Sequence, residues 1–250
     1  MPSKKIWFLR SFLLCLIGIL LVLLSFMLVK FDFKKLGEVE EYKIVEKNIN
    51  IHEIEVIHLH EKRANLKIKR SEDDRVHLKY AESKNAYSEM LIFKNQKELT
   101  LERNQKIKMN LNPFTKLAAP IIETVLEVPD NIMLDLHMDI GNIIINSINV
   151  NTISIHSNVG NVTVENVEAD HMKIEMLTGD FYGEKSNIKE LDCHTHTGNI
   201  KMKLLSKRKQ YQIYANSSIE GIFYNDREVQ EKKINVKTDV GSISLSFDES

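Results

Sequence analysis

The chain has 250 residues, and its 34 basic and 35 acidic side chains leave a formal net charge of −1. This balance argues against a nucleic-acid-binding protein, whose binding domain is strongly basic. A composition that is 43% hydrophobic, with only four prolines and two cysteines, excludes a disordered chain, a collagen-like chain, a disulfide scaffold and a cysteine-rich zinc site.

A long apolar run, Ile6–Val29, is the first element of the chain. It comprises 24 residues with a single charge, Arg10, and as a helix it would be about 36 Å long, enough to cross a hydrocarbon core of about 30 Å. No small-residue cleavage site follows it, and Cys15 lies in its middle, so neither a signal peptide nor a lipoprotein signal fits. We predict that residues 1–35 are a tail and an uncleaved single-pass anchor in the cell membrane. Because the basic flanks nearly tie, only the short tail favours an extracytoplasmic remainder.

Residues 36–130 are predicted to form an opening β-strand region. Apolar and polar side chains alternate in three segments that are typical of half-buried strands: 64–69, 75–80 and 98–102. Residues 104–120 show no strand pattern and predict a loop, and residues 121–128 return to a strand that Pro129 ends. We expect this half of the chain to form opening coils, with a polar first rung as a cap.

Residues 131–250 contain a repeat of about 19 residues that glycine marks. The first three intervals between these glycines are 19 residues, and the next two are 23 and 20; the glycines are Gly141, Gly160, Gly179, Gly198, Gly221 and Gly241. A small polar residue follows the glycine in five of the six repeats: Asn142, Asn161, Asp180, Asn199 and Ser242. The longer interval before Gly221, which Ile222 follows, indicates a bulged coil.

Each repeat has the pattern of one coil with two strands. Glycine permits a positive φ in a tight turn, and apolar residues follow it at positions two and four, and again at twelve and fourteen. Such a unit closes a core only by stacking on its neighbours, so the sequence predicts an all-β, right-handed parallel β-solenoid, a single-stranded β-helix or β-roll, with a polar ladder at its corner. A hairpin-built sandwich is disfavoured because the chain has no Asn-Gly or Asp-Gly dipeptide.

These features resemble a known bacterial family. An N-terminal apolar helix, a strand ending in Val128–Pro129 and repeated Thr/Val-Gly-Asn/Asp-Ile units are similar to the "putative adhesin" β-strand-repeat family of unknown function, over residues 45–247. Some members look like membrane-anchored LiaG-type proteins, which are associated with cell-envelope stress systems. The resemblance implies a surface-exposed, non-enzymatic protein and supplies no catalytic residues. The chain departs from the family pattern at Gly221.

Histidines provide the main candidate site. His156, Glu175 and His194 each fall fifteen residues after their glycine, so we expect them to stack outward on three successive rungs about 4.8 Å apart. Such a ladder could hold a divalent metal, with His196 as a further donor. The simpler interpretation, which we favour, is a charge-alternating ladder with no metal and no cofactor. Even that ladder would respond to pH, because histidine titrates near 6.5.

Other candidate residues support ordinary structural roles. Cys193 shares the column of inward residues, which predicts a buried structural cysteine. Glu165 and Glu184 share an outward column, and a pair of carboxylates is what a glycosidase needs. No established catalytic motif is present in the sequence, so we predict that the chain is not an enzyme.

The sequence as a whole predicts a membrane-anchored, extracytoplasmic β-solenoid that serves as an adhesin-like binding or scaffold protein at the bacterial cell envelope, within an envelope-stress response. We expect an envelope protein as its partner, bound at the open solenoid edge Ser242–Phe247, and no nucleic acid. Two alternatives stay open: a solenoid enzyme acting on cell-wall glycans, and a sensor of pH or metal that uses the histidine ladder.

Overall fold

The computed structural model describes residues 4–28, 41–50, 54–73, 75–83, 88–105, 121–219, 223–225 and 229–248. The chain forms two compact units, one of Met1–Glu40 with Lys108–Pro120 and one of Glu41–Ile107 with Ile121–Ser250. In the first unit the described element is helix α1, Lys4–Leu28. Within the described ranges, no helix has the length and apolar character that a membrane crossing requires. The predicted membrane span is therefore not confirmed.

The second unit consists almost entirely of β-structure. In its described residues the strands are β1 (Tyr42–Ile49), β2 (Val56–Arg70), β3 (Val76–Ser83), β4 (Ser88–Asn95), β5 (Glu98–Gln105), β6 (Ile122–Val128), β7 (Met133–Ile140), β8 (Ile143–Asn146), β9 (Asn149–Val159), β10 (Val162–Glu165), β11 (Glu168–Thr178), β12 (Phe181–Thr197), β13 (Ile200–Leu204), β14 (Tyr211–Ser217), β15 (Phe223–Asn225), β16 (Lys232–Val240) and β17 (Ile243–Phe247). A 3-10 turn, Arg208–Gln210, precedes β14. The predicted strand segments 64–69 and 98–102 are confirmed within β2 and β5, and the segment 75–80 is confirmed from residue 76, where β3 begins. Of the predicted loop 104–120, residues 104 and 105 belong to β5, and 106–120 lie outside the described residues.

The strands pair into two sheets. Sheet A has the order β1-β3-β6-β2-β8-β10-β12-β13-β17. Sheet B has the order β4-β5-β2-β7-β9-β11-β12-β16-β14-β15. Each coil contributes one rung to each sheet. In most coils two separate strands do this, such as β10 in sheet A and β11 in sheet B, whereas the long strands β2 and β12 pass from one sheet to the other. The coils of the repeat region pair in parallel, as the sequence predicts, and β15 is the exception because it pairs antiparallel with β14. The handedness of the coil stays a prediction.

The opening region departs from the predicted all-parallel pairing. Strands β1 and β3, β3 and β6, and β4 and β5 are antiparallel. The β4–β5 hairpin turns at Gln96, whose φ is +50°, so a tight turn forms there without the glycine that usually signals it. The two-residue connection from β4 to β5 returns the chain in the opposite direction, whereas a parallel neighbour would need a full coil.

The core lies between the two sheets and is built from the inward columns of the repeat. Ile155, Ile174 and Cys193 occupy one such column in sheet B, and Val162 and Phe181 occupy one in sheet A; all are fully buried. Each large apolar side chain buried in this way contributes about 1.5–3 kcal/mol. The predicted burial of Cys193 is thus confirmed, and burial, with a smaller effect from Asp192, raises the pKa of its thiol well above the ordinary range.

The glycine corner shows why coils of this length stack. The structure places Gly141, Gly160, Gly179, Gly198 and Gly241 at this corner, all with positive φ; Gly221 lies outside the described residues. At Gly160 the φ is +143°, and a Cβ atom there would lie 1.9 Å from the carbonyl oxygen of Gly141. Only glycine permits this approach of one coil to the next.

A polar ladder runs beside these glycines and confirms the prediction. The side-chain oxygen of each member accepts a hydrogen bond from the backbone N–H of the next, at 2.7–3.1 Å, along Asn65, Asn142, Asn161, Asp180, Asn199 and Ser242. Asn65 adds one more rung than the sequence indicates, because Ala64 stands where the later coils have glycine. The side chains therefore satisfy amides that the coil turn would leave without a partner.

The last coil does not follow the order of the chain. The N–H of Gly198 donates to the carbonyl oxygen of Val240 at 2.9 Å, and a Cβ on Gly241 would meet the oxygen of Gly198. Strand β16 therefore stacks directly on β12, while the earlier segment β14–β15 lies on the outer side of β16. The expected succession of coils from Gly198 through Gly221 to Gly241 is wrong, because β16 takes the place beside β12, and the earlier strands β14 and β15 lie beyond β16 at the edge of sheet B.

A buried ion pair in the opening region was not predicted. Arg103 donates to both carboxylate oxygens of Glu61, at 2.8 and 3.0 Å, and to the carbonyl oxygen of Ala81 at 2.9 Å. The Thr124 hydroxyl donates to Glu61 at 2.6 Å. Glu61 and Arg103 are completely buried, and an ion pair there is tolerated because these hydrogen bonds compensate the loss of water.

Candidate functional site

The candidate histidines lie on the outward face of sheet B. The parallel register aligns them in one row, the histidine row, which consists of His60, His137, His156, Glu175, His194 and Lys237. Each member is on a different strand. Because successive side chains of a strand point to opposite faces, residues in register all lie on the same, outward face of sheet B. The structure thus places His156, Glu175 and His194 on three adjacent rungs and adds His60 and His137, whose strands precede the clear part of the repeat.

The middle of the row is held by ion pairs. A nitrogen of His156, Nε2, lies 3.0 Å from Glu175 Oε2, while Lys173 Nζ lies 2.7 Å from Glu175 Oε1. The hydrogen bond from Lys173, with a smaller contribution from His156, lowers the pKa of the Glu175 carboxyl. Both oxygens of Glu175 are therefore occupied. The expected charge-alternating ladder is therefore present between His156 and Glu175. His194 pairs with Asp239 instead of Glu175.

A second cluster, which we call the β12–β16 cluster, consists of His194, His196 and Asp239. His194 Nε2 lies 3.2 Å from Asp239 Oδ2, and His196 Nδ1 contacts the same oxygen. The other carboxylate oxygen, Oδ1, lies 2.9 Å from Lys237 Nζ. Hydrogen bonds from Lys237, His196 and His194 hold the pKa of the Asp239 carboxyl far below its usual range. The carboxylate is therefore the centre of this cluster.

Asp239 is the member of the candidate site that the sequence analysis does not identify. It stands two residues before Gly241, as His196 stands two residues before Gly198. This common position is a signal that the two belong to one column. The glycine spacing, however, predicts a coil at Gly221 between them, which would separate the two residues by an additional rung.

A third cluster, the β7–β9 cluster, comprises Asp135, His137 and His156. The rings of His137 and His156 stack with centroids 4.8 Å apart and an interplanar angle of 3°. Asp135 divides its oxygens: Oδ2 lies 2.9 Å from Nδ1 of His58, and Oδ1 lies 3.4 Å from Nε2 of His137. His156, which belongs to this cluster as well as to the ladder, has its Nε2 on Glu175.

A surface depression is lined by residues of both the β7–β9 cluster and the β12–β16 cluster. It is lined by His156, Ser157, Asn158, Glu175, Met176, Leu177, His194 and His196. All four residues that the sequence singled out as metal candidates are in this lining. The depression is mixed in character, because the exposed Leu177 side chain lies among the titratable groups.

The carboxylates of the enzyme alternative lie elsewhere. Glu165 and Glu184 occupy neighbouring rungs of sheet A, in direct register, and neither lines the depression. Glu165 accepts a hydrogen bond from the Asn146 amide at 3.2 Å and lies 3.9 Å from Lys185 Nζ. Their contacts are those of a solvated polar corner.

The chain is similar to solved structures at low sequence identity, and the match with a TM-score of 0.50 shows a shared fold. A crystal structure of a "putative cell adhesion protein" from Clostridium sporogenes has a TM-score of 0.50 and 15% identity, and the match covers 83% of this chain and 100% of that one. A "putative adhesin" from Bacteroides fragilis has a TM-score of 0.48 and 13% identity, over 81% of this chain and 97% of that one. A comparison with curated proteins gives no significant match.

The sequence itself identifies the family. Residues 54–250 match the profile of the family described as Toastrack DUF4097. This range contains all of sheet B, the glycine corner and the histidine row with its two clusters. The resemblance to an adhesin-like β-strand-repeat family is thereby confirmed, whereas the LiaG-type detail is not. The chain belongs to the Toastrack family DUF4097.

Proposed function

We propose that this chain is an adhesin-like binding or scaffold protein of the bacterial cell envelope, and that it engages a protein partner by adding a strand to β17. The observation that carries this proposal is the open edge of sheet A. In the described part of the chain, β17 (Ile243–Phe247) pairs with β13 alone. Backbone groups on an unpaired edge are a template for a strand from another chain.

The side chains of β17 leave this edge unprotected. Its outward residues, Ser244 and Ser246, are small and exposed, and the strand contains neither lysine nor proline, the residues that commonly block edges. The opposite edge of sheet A is different, since β1 carries Lys43, Glu46 and Lys47 within eight residues. Of these two edges, β17 is therefore the one suited to strand addition.

The hydrogen-bond pattern identifies which amides are available. The N–H of Ile200 donates to the oxygen of Ser242 at 2.9 Å, and the N–H of Asp248 donates to the oxygen of Leu204 at 3.0 Å. In a parallel pair, alternate residues of a strand bond to the same neighbour. The even-numbered residues from Ser242 to Asp248 thus face β13, and the odd-numbered residues, including Leu245, turn their N–H groups to the open side.

A proline variant tests the proposal directly. Leu245→Pro removes an outward amide, whereas the matched control Leu245→Ala loses the same side chain and keeps the amide. We expect the full-length chain and Leu245→Ala to crosslink in intact cells to one envelope protein through residues 242–247, and Leu245→Pro to lose that crosslink while its far-UV circular dichroism is unchanged. Equal crosslinking by all three folded chains would refute strand addition at β17.

We also propose that Ile6–Val29 anchors the chain in the cell membrane, with the bulk of the chain outside and active in an envelope-stress response. The support is the 24-residue apolar run of the sequence and the exposure of its side chains in α1, such as Phe12, Leu14 and Leu21. The test is extraction of membranes with alkaline carbonate, followed by protease treatment of intact cells. Release of the chain by carbonate, or its protection from external protease, would contradict this part of the proposal.

A further inference from the structure

We propose that His194, His196 and Asp239 form a binding site for a late first-row divalent transition metal ion, and Zn²⁺ is the ion to which we commit. The inference does not depend on the proposed partner at β17. It begins from an arrangement in which two imidazole nitrogens converge on a single carboxylate oxygen, Asp239 Oδ2. Imidazole with carboxylate is a ligand set that zinc accepts.

The distances fit a tetrahedral ion with little rearrangement. One ligand atom from each of the three residues lies within 4.8 Å of the others. With zinc–ligand bonds of about 2.0–2.1 Å, two ligands of a tetrahedral site are about 3.3 Å apart. His194 Nε2 and Asp239 Oδ2 are already 3.2 Å apart. The two rings are nearly perpendicular, with centroids 5.4 Å apart, so their nitrogens can approach a common point without a ring clash.

The backbone holds these three residues in place. His194 and His196 are alternate residues of β12 and share its outward face, and Asp239 is on the adjacent strand β16. Between them, the inward Thr195 and Thr238 are in register, and each hydroxyl donates to a glycine carbonyl at the corner, at 3.2 and 2.8 Å. A site on paired strands with a buried polar support is more precise than one on a loop.

Lys237 acts as a positioning residue in this site. Its ammonium group lies 2.9 Å from Oδ1 of Asp239 and leaves Oδ2 to the imidazoles. A hydrogen-bonded outer partner of this kind orients a metal-binding carboxylate.

The β7–β9 cluster is less suited to a metal ion. The Nε2 atom of His156 is paired with Glu175 at 3.0 Å, and Asp135 divides its two oxygens between His58 and His137. No single oxygen there collects two imidazoles among the described contacts. The predicted ladder therefore separates into an ion-paired half at His156 and a metal-binding half at His194 and His196, with Asp239 in the place that Glu175 was expected to take.

Three protein ligands on an exposed face leave at least one coordination position open. The side chains of His194, His196 and Asp239 are 36%, 59% and 32% exposed. Structural zinc sites are closed by four protein ligands, whereas sites with three protein ligands keep water or an exchangeable group in the fourth position. We therefore expect reversible binding that a strong chelator removes without unfolding the chain.

The test is Zn²⁺ binding to the purified full-length chain in mild detergent, with an affinity tag that contains no histidine. A colorimetric zinc chelator supplies the competition, and the melting temperature with and without Zn²⁺ supplies a second measurement. We expect one Zn²⁺ per chain, no effect of Mg²⁺, and weakening by at least about tenfold in His196→Ala and in Asp239→Asn.

Two controls keep the result interpretable. His171→Ala removes an exposed histidine of β11 that is paired with Glu190 at 3.0 Å and lies outside the β12–β16 cluster; binding should be unchanged. His156→Ala removes a member of the other cluster and should also leave binding unchanged. The proposal is overturned if the chain binds no Zn²⁺ saturably, if binding survives in His196→Ala and Asp239→Asn, or if His156→Ala causes the larger loss. Melting of each variant without metal verifies that it is folded.

Discussion

Replacing Gly160 by alanine should nearly unfold the solenoid. A Cβ atom at this position would lie 1.9 Å from the carbonyl oxygen and 2.6 Å from the carbonyl carbon of Gly141. A carbon–oxygen contact needs about 3.3 Å, so the two coils would have to separate by about 1.4 Å at this corner. The obstacle is backbone on both sides, and no side-chain rotation relieves it.

The cost follows from the hydrogen bonds that cross this gap. Three bonds of 2.9 Å join the two coils here: Gly141 N–H to Val159 O, Ile143 N–H to Asn161 O, and Asn161 N–H to Asn142 Oδ1. A separation of about 1.4 Å takes all three beyond hydrogen-bond range, at about 1 kcal/mol each. Strain of about 1–3 kcal/mol for alanine at φ +143° adds to this. The total, about 4–6 kcal/mol, approaches the whole stability of an ordinary domain.

Two other glycines make a matched series for the assay. Gly183 has an ordinary φ, and the three atoms nearest to its Cβ would all belong to the flexible Met202 side chain, with Cγ at 2.9 Å. Gly18 in α1 has nothing within 4 Å. In urea unfolding followed by far-UV circular dichroism, we expect Gly183→Ala to cost less than about 2 kcal/mol. Gly18→Ala should not destabilise, because alanine favours a helix over glycine.

The ranking of the three variants is the critical result. The reasoning would be refuted if Gly160→Ala stayed within about 1 kcal/mol of the natural chain, or if Gly183→Ala cost as much as Gly160→Ala. The first result would mean that the corner relaxes without loss of the ladder. The second would mean that any added volume is costly, whatever the backbone geometry.

Three further predictions concern titratable groups. The backbone N–H of Asn199 lowers the pKa of the Asp180 carboxyl below its ordinary value of 3.8 in the fold. Its carboxylate therefore stabilises the fold above that pH and loses this effect as the pH falls through the folded pKa. Asp180→Asn should cost up to about 1 kcal/mol at pH 7, and urea titrations should show the difference shrink as the pH falls below 3.8. Arg103→Met should cost about 3–5 kcal/mol because it leaves the Glu61 charge buried without a partner, and adding Glu61→Gln should restore part of the loss in the same assay; a larger loss in the double variant would contradict this. In a Cys15→Ala background, Cys193 should react with iodoacetamide only at the rate of unfolding, since burial raises the pKa of its thiol; fast labelling of the folded chain would contradict its burial.

The regular part of the fold is predictable because one physical constraint repeats. Each coil needs a backbone turn too close to its neighbour for a Cβ atom, and the 19-residue glycine spacing of Gly141, Gly160, Gly179 and Gly198 records that need directly. The polar residue after glycine follows from the unsatisfied amide at the same turn. Both features are local to one coil, so the sequence reveals them without knowledge of the partners.

The features that escape prediction depend on pairing between distant segments. The hairpin at Gln96 lacks a glycine signal, and the charges of Glu61 and Arg103 look like the polar positions of exposed strands. Glu61 is buried where β2 passes from sheet B to sheet A, and Arg103 is buried as its partner. The alternation of apolar and polar residues alone does not locate this crossing. Asp239 is likewise placed beside His196 only by the detour of β14 and β15, which no local pattern announces.

That detour also explains how a repetitive fold acquires a particular site. If the coils followed the chain without interruption, the rung after His194 and His196 would come from residues near Gly221, whose sequence contains Glu220 and no aspartate at the position two before the glycine. Strands β14 and β15 instead lie beyond β16 at the edge of sheet B, and the strand that carries Lys237 and Asp239 stacks on β12. In the described residues, β17 is the last strand of sheet A and pairs with β13 alone. The rearrangement of coil order in sheet B thus creates the cluster proposed to bind Zn²⁺, while the inward columns that stabilise the fold keep their register.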